Sequence, residues 1–386
     1  MSGSLDAALV RLIAGHVCLH ACMAGTRMAA PLLALREGQT EAAVGVLLAL
    51  FALTQVFLAL PAGRYADRHG LKRPVAYSVI AATLGAGLAA AWPTFPMLCI
   101  SALLTGGATG AASIALQRHV GRAAETPTQL KQVFSWLAIG PAISNFIGPF
   151  AAGLAIDHGG FKLAFFIMAL LPIACWLWVR GTSELPPVIR PEGQEQGTAW
   201  ELVKETTFRR LLVVNWILAS CWDVHLFVVP ILGHERGFSA SVIGTILGAF
   251  AVAAAAVRVV LPAIAAHLRE WAVIAGAMAA TALILGVYPF MYAPLAMAIC
   301  SVLLGIALGT VQPMVMSTLH QITPEHRHGE AVAMRVMVIN ASSVTMPMLF
   351  GVAGIAIGVS GVFWGAAVAV GLGTRLAYKL RPDQSR

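Results

Sequence analysis

Apolar runs of roughly twenty residues, each closed by a short knot of Gly, Pro or charge, recur from one end of the chain to the other. Twelve can be marked, near 11–33, 42–62, 74–93, 95–116, 133–156, 161–180, 210–233, 241–266, 271–290, 294–317, 334–357 and 360–378. A helix rises about 1.5 Å per residue, so each run is long enough to cross a hydrocarbon layer about 30 Å thick. The pattern therefore predicts an all-α integral membrane protein with twelve transmembrane helices. Composition agrees: the 386 residues are 59% hydrophobic and 11% charged, with mean hydropathy +0.81, whereas soluble domains carry about 25% charged residues. The opening "MSGSLDAALVRL" has one Arg and no small-residue cleavage site behind a short apolar core, so no removable signal peptide is expected.

Charge adds direction. With both termini inside, 21 of the 25 Lys and Arg lie on or near the inner side, leaving Arg27, Arg36, Lys162 and Arg236 on or toward the other. That is the positive-inside bias of a multi-pass protein, expected in a bacterial inner membrane with cytoplasmic termini. The formal charge of +8 thus serves topology, and no nucleic-acid partner is expected. The six cysteines (Cys18, Cys22, Cys99, Cys175, Cys221, Cys300) all fall inside apolar runs, where a small hydrophobe suffices.

One segment breaks the apolar rhythm. "RGTSELPPVIRPEGQEQGTAWELVKETTFRR" is polar, Pro-containing and mixed in charge, and it reads as a cytoplasmic linker over 181–208 between bundles at 1–180 and 209–386, with "TAWELVKE" as a short surface helix. Repetition supports that cut. "PLLALREGQTEAAVG" and "PILGHERGFSASVIG" place Pro31, Gly38 and Gly45 against Pro230, Gly237 and Gly244, 199 residues apart. Pro149, Gly153, Gly160 and Phe165 recur as Pro347, Gly351, Gly358 and Phe363, 198 residues apart. Two matches at nearly one offset indicate a duplicated six-helix unit.

The polar knot "GRYADRHGLKRP" between the second and third runs is similar to the helix 2–3 loop of the major facilitator superfamily of secondary transporters. Gly63, Asp67, Arg68, Gly70 and Lys72 match its pattern; Leu71 replaces the first basic residue, and Arg73 adds one. The resemblance implies two pseudo-symmetric six-helix bundles and alternating access, with this loop as a latch between the halves. Physically, Gly63 and Gly70 permit close approach and a tight turn, and Asp67 suits a helix N-terminus or an Arg such as Arg118 or Arg122. In the second half, "PAIAAHLREWAV" keeps Pro262 and Arg269 but lacks the Asp and both Gly, which makes the expected latch one-sided. Helix 5 carries "GPAISNFIGPFAAG", which resembles the motif of proton-driven exporters: Gly148, Pro149 and Gly153 match, while Ser144 and Ala152 stand at glycine positions. Gly140, Ser144, Gly148 and Ala152 form a stripe of small residues at four-residue spacing, and Gly244, Gly248, Ala251 and Ala255 form another on helix 8, so these two faces are expected to pack on each other. Exporters of this kind often carry an Arg early in helix 4; "MLCISALLTGGATGAA" has none.

Ionisable residues inside membrane helices cost about 2.5–3.5 kcal/mol each on insertion scales, so each is a functional candidate. Asp223 is the only carboxylate near the middle of a run. His16, His20 and Arg27 share one stripe of helix 1, and the 199-residue offset maps Asp223 onto Ala24, one turn from Arg27. An Asp223–Arg27 pair across a central cavity is the expected proton-coupling or substrate site, with a static ion pair as the structural alternative. Trp216 and Phe227 share the Asp223 face and offer aromatic contact. Arg258 and Arg335 are anion-binding candidates that also lie near enough to a helix end to snorkel. His225 sits about 200° from Asp223 around the helix and is expected in a helix–helix contact. His16 and His20 are expected to line a cavity or hydrogen-bond rather than hold a metal, because Cys18 and Cys22 lie on the opposite side of the helix.

No nucleotide-binding loop, metal-spaced Cys/His cluster or nucleophile elbow occurs, so no enzyme activity, cofactor or metal is expected and transport must draw on a gradient. The expected function is proton-coupled export of a small amphipathic drug or metabolite by a monomer in the bilayer. The alternatives are a proton-coupled importer or facilitator of an organic anion and, from another class, a non-transporting receptor or scaffold on the same fold.

Overall fold

The computed structural model describes residues 2–39, 41–185, 199–238 and 240–381, and among them every regular element is helical. Helix 1 is Ser2–Arg36, helix 2 Glu41–His69, helix 3 Lys72–Ala91 and helix 4 Phe95–Ala123. Helix 5 opens as Pro127–Leu137 and resumes after Ala138 in a long run, Ile139–Val179, that breaks at Gly160. Helix 5 is thus 127–159 and helix 6 is 161–179. A short helix Glu201–Lys204 follows, the predicted surface helix in shortened form. Helix 7 is Thr206–Glu235, helix 8 Ala240–Ile264, helix 9 Glu270–Val287 and helix 10 Pro294–Ile322. The run His328–Tyr378 breaks at Gly358 into helix 11 (328–357) and helix 12 (359–378). Each of the twelve apolar runs falls on one of these helices, four of them running one to three residues past its end. Most of the proposed linker, 186–198, lies outside the described residues.

The duplication is written into the backbone. Gly160 (φ 77, ψ −178) and Gly358 (φ 74, ψ 164) break their helices in the same extended, left-handed conformation, one that a side chain strains. Gly38 (φ 82) and Gly237 (φ 73) repeat a second such position. Side-chain packing repeats as well. A methyl group on Gly106 of helix 4 would sit 2.2 Å from the Phe51 carbonyl oxygen of helix 2, and one on Gly305 of helix 10 would sit 2.4 Å from that of Phe250 in helix 8. The pairs 51/106 and 250/305 are related by the 199-residue offset, so the same glycine contact seats the same two helices in each half.

By contacts, the described chain divides into two compact units. The first is Met1–Glu125 with Leu137–Ala199 and Pro324–Asn340; the second is Thr126–Trp136 with Trp200–Thr323 and Ala341–Arg386. The opening turns of helix 5 therefore belong to the unit built mainly from the second half of the chain. The opening turns of helix 11 belong to the unit built mainly from the first half.

Candidate functional site

In the first unit, the helix 2–3 turn is tied to the start of helix 11. The Asp67 side chain is 2% exposed and accepts from Arg118 Nε of helix 4 at 2.5 Å. It also accepts from the backbone N–H of Gly329 at 2.9 Å and of Glu330 at 3.1 Å. These N–H groups belong to the first turn of helix 11, whose donors have no partner within the helix and carry the positive end of its dipole. A carboxylate there is both cap and counter-charge. Gly63 makes the approach possible, since a methyl group on it would lie 2.4 Å from the Gly329 carbonyl oxygen. Around this centre, Arg64 and Arg327 both bond Glu330, at 2.8 and 2.9 Å, and Arg122 bonds Glu325 at 2.8 Å. Gly70 turns with φ 73, and Glu184 caps helix 3 through the N–H groups of Leu71 (3.0 Å) and Lys72 (2.6 Å). Of the sequence-predicted residues, Gly63, Asp67, Gly70 and the Lys72 backbone take part in these contacts, whereas the Arg68 and Arg73 side chains are exposed. The cation that meets Asp67 comes from helix 4.

The second unit carries a counterpart that the sequence reading lacks. Lys131, in the opening turns of helix 5, donates to the Leu268 carbonyl at 2.7 Å and stands 3.6 Å from Glu270. Gln132 donates to the Pro262 carbonyl at 3.1 Å and Ser135 to the Arg258 carbonyl at 2.6 Å. The Phe134 and His320 rings lie 5.0 Å apart. The helix 8–9 turn is therefore engaged despite its missing Asp and Gly, which corrects the one-sided expectation: Gln132 and Ser135 meet carbonyls of helix 8, and Lys131 meets the Leu268 carbonyl in the turn beyond it.

The predicted inner-membrane constellation is divided between the units: His16, His20, Arg27 and Arg335 belong to the first, and Trp216, Asp223 and Phe227 to the second. His16 is buried with Nε2 2.9 Å from Ser113 Oγ, and its ring meets His20 edge-on at 5.8 Å. These are hydrogen-bonding and packing contacts. Arg27 is exposed within its unit. Asp223 is half-buried and receives the Ser342 hydroxyl of helix 11 at 3.4 Å. Ser342 also lies 3.2 Å from Ser220 Oγ. Trp216 and Ser220 line a cavity of about 240 Å³ with residues of helices 11 and 12, and Phe227 is exposed on the same face of helix 7. Helix spacing carries no signal for the link between Ser342 and Asp223. His225 bonds Ser301 Oγ at 2.9 Å and stacks on Phe250, a helix–helix contact.

Two further expectations are corrected. The stripe Gly140, Ser144, Gly148, Ala152 packs on helix 1, not on helix 8: Ser144 Oγ donates to the Val17 carbonyl at 3.1 Å, and a methyl group on Gly148 would lie 2.4 Å from the Ala21 carbonyl oxygen. Gly25 and Gly148 thus let two backbones touch directly beside Arg27, Pro149 continues the helix-5 run, and a methyl group on Gly153 would meet Met28 at 3.7 Å. Arg258 and Arg335 do not snorkel. Both are buried, Arg258 under Trp222 with its Nε 3.3 Å from the Gly309 carbonyl.

Twelve apolar helices in two related halves, with buried polar groups placed inside them, are the architecture of a multi-pass membrane protein. The chain belongs to the Major Facilitator Superfamily, whose description matches residues 12–296 and again 211–386. It is similar to the Tetracycline resistance protein, class H, of Pasteurella multocida, 30% identical over 196 residues that make up 49% of this chain and 46% of that protein. It is 35% identical to the class B protein of Escherichia coli over 147 residues, 36% of this chain and 35% of that protein. Multidrug resistance protein 1 of Bacillus subtilis is 26% identical over 226 residues, 57% of each. The chain thus spans about half the length of the curated relatives it matches. Among solved structures, a bacterial homologue of the iron transporter ferroportin in an outward-facing state superposes with TM-score 0.81 at 15% identity, covering 97% of this chain and 99% of that one. That likeness concerns the fold.

Proposed function

We propose that the protein is a proton-coupled exporter of a small amphipathic drug or metabolite, working by alternating access between bundles 1–180 and 209–386 with the 181–208 linker and both termini in the cytoplasm. The observation that carries this reading is Asp223: a half-buried carboxylate midway along helix 7, within reach of a hydroxyl on helix 11. The small-residue contact of helix 5 with helix 1 supports it by fixing the helix that carries His16, His20 and Arg27. Similarity to tetracycline- and multidrug-resistance proteins points the same way. In the proposed cycle Asp223 is ionised when Arg27 faces it and protonated when the pair separates, so that proton and substrate exclude each other. The Asp67 and Lys131 contacts are remade as the two bundles exchange partners, with Arg68, Lys72 and Arg73 at the cytoplasmic rim. A proton entering through 100 mV contributes about 2.3 kcal/mol, enough for a gradient of roughly 50-fold in a neutral substrate.

Inside-out vesicles test the direction and the coupling together. With an acid interior imposed, tetracycline and a panel of neutral amphipaths are offered outside. Accumulation of at least one compound, accompanied by dissipation of the pH gradient, is the expected result. Accumulation of an organic anion only with the gradient reversed would favour import, and no flux of any compound would favour a receptor.

A further inference from the structure

The cavity of the second unit lies between helix 7, the middle of helix 11 and helix 12. Its walls include Trp216, Cys221, Met346, Phe350 and Ala369, and Ser220 is the one hydroxyl among the residues that line it. At about 240 Å³ it falls below the roughly 300–1,000 Å³ of drug-sized sites, so it takes a small ligand or one apolar end of a larger one. Trp216 and Phe350 favour an aromatic body.

Ser220 connects this cavity to Asp223. Its Oγ lies 2.9 Å from the Trp216 carbonyl and 3.2 Å from Ser342 Oγ, which in turn lies 3.4 Å from Asp223 Oδ2. A hydroxyl owns one proton and two lone pairs, so the three groups cannot make every bond at once. When Asp223 is ionised it only accepts: Ser342 turns its proton to Asp223, Ser220 turns its proton to Ser342, and Ser220 presents two lone pairs to the cavity. When Asp223 carries a proton it donates to Ser342, Ser342 donates to Ser220, and Ser220 turns its proton to the Trp216 carbonyl or to a ligand. The only lining hydroxyl then keeps a single lone pair. Among the described residues, the Ser343 hydroxyl of helix 11 and the Cys221 thiol of its own helix also lie about Asp223. Arg258 is turned to Gly309 and Trp222, and His225 to Ser301.

We propose that this cavity binds a small, mostly apolar molecule bearing a neutral hydrogen-bond donor, such as a phenol or aryl alcohol, and that the Ser220–Ser342 pair makes ionised Asp223 the state that holds it. Proton arrival at Asp223 reverses the hydroxyl chain and weakens the ligand's bond to Ser220, an exchange of proton for substrate without direct contact between them. The proposal rests on Asp223 as the coupling carboxylate and names both the substrate class and the path of coupling.

Two fluorescent probes that differ in one group test it, 1-naphthol as donor and 1-methoxynaphthalene without one, titrated into the purified full-length protein in detergent. Between about pH 7 and about pH 3, a range that spans the ordinary Asp value of about 3.9, naphthol affinity should fall at least about fivefold, while methoxynaphthalene affinity should hold or rise. Ser342→Ala should abolish the difference and Ser342→Thr, which keeps the hydroxyl, should retain it. Ala369→Phe should remove binding of both probes. A wild-type naphthol affinity that ignores pH, an unchanged pH response in Ser342→Ala, or normal binding in Ala369→Phe would each overturn the proposal. No gradient is present, so the two readings separate. A pH-switched affinity beside failed proton-driven transport would keep this site and remove the coupling role; proton-driven transport beside pH-blind binding would do the reverse.

Discussion

The helix 2–3 and helix 8–9 turns descend from one duplicated unit, yet they hold their partner segments with opposite charges. At the first, an acid, Asp67, caps the N-terminus of helix 11 and is matched by Arg118 in a pair with both side chains 2% exposed. At the second, a base, Lys131 of helix 5, meets the Leu268 carbonyl and stands 3.6 Å from Glu270. Either sign serves because the two turns offer different backbone groups: the N-terminus of helix 11 offers N–H groups to an anion, and the turn before helix 9 offers the Leu268 carbonyl to a cation. The two differ in cost of failure. A buried carboxylate with three donors leaves an uncompensated Arg behind when it is removed. Without Lys131, Glu270 still accepts from Ser317 and Gln321, each at 3.0 Å.

That asymmetry orders the expected effects. Asp67→Ala should be the most severe, lowering stability by about 3–5 kcal/mol because Arg118 stays buried without its partner; thermal unfolding of purified protein reads it directly. Asp67→Asn keeps an acceptor for helix 11 and should fold, while shifting the populations of inward- and outward-open states in distance measurements between the cytoplasmic ends. Gly63→Val should cost about 1–3 kcal/mol by forcing helix 2 from the Gly329 carbonyl. Lys131→Met should cost only about 1–2 kcal/mol, a hydrogen bond and a long ion pair. Glu184→Gln, at an exposed cap, should cost under about 1 kcal/mol and weaken further in high salt. A Lys131 effect equal to that of Asp67→Ala would break the comparison, for the second turn would then be as indispensable as the first.

Hydropathy made the twelve helices legible because membrane spans must hide their backbone polar groups over a fixed length. The repeat was legible too, since Gly160 and Gly358 occupy a backbone conformation closed to other residues, and such positions survive as identity. Partner choice was not. Asp67 read as a helix-capping acid with Arg118 or Arg122 beside it, but its contacts with Gly329 and Glu330 lie more than 260 positions away, with nothing local to mark them. The helix 5 stripe announced close packing without naming helix 1, because small residues carry no address. Lys131 carries no mark in the repeat, because the second turn is met from helix 5 by a base and not by an acid of the turn itself. The Ser342–Asp223 contact was not legible either, as spacing fixes a face but not what the face meets.

The central claim is that Asp223 couples proton movement to transport. Reconstituted vesicles with an imposed pH gradient test it most directly, with the wild type and Asp223→Asn compared for uphill accumulation and for substrate exchange without a gradient. The expected result is that Asp223→Asn folds and still exchanges substrate but accumulates none against its gradient. Full pH-driven accumulation by Asp223→Asn would contradict the account.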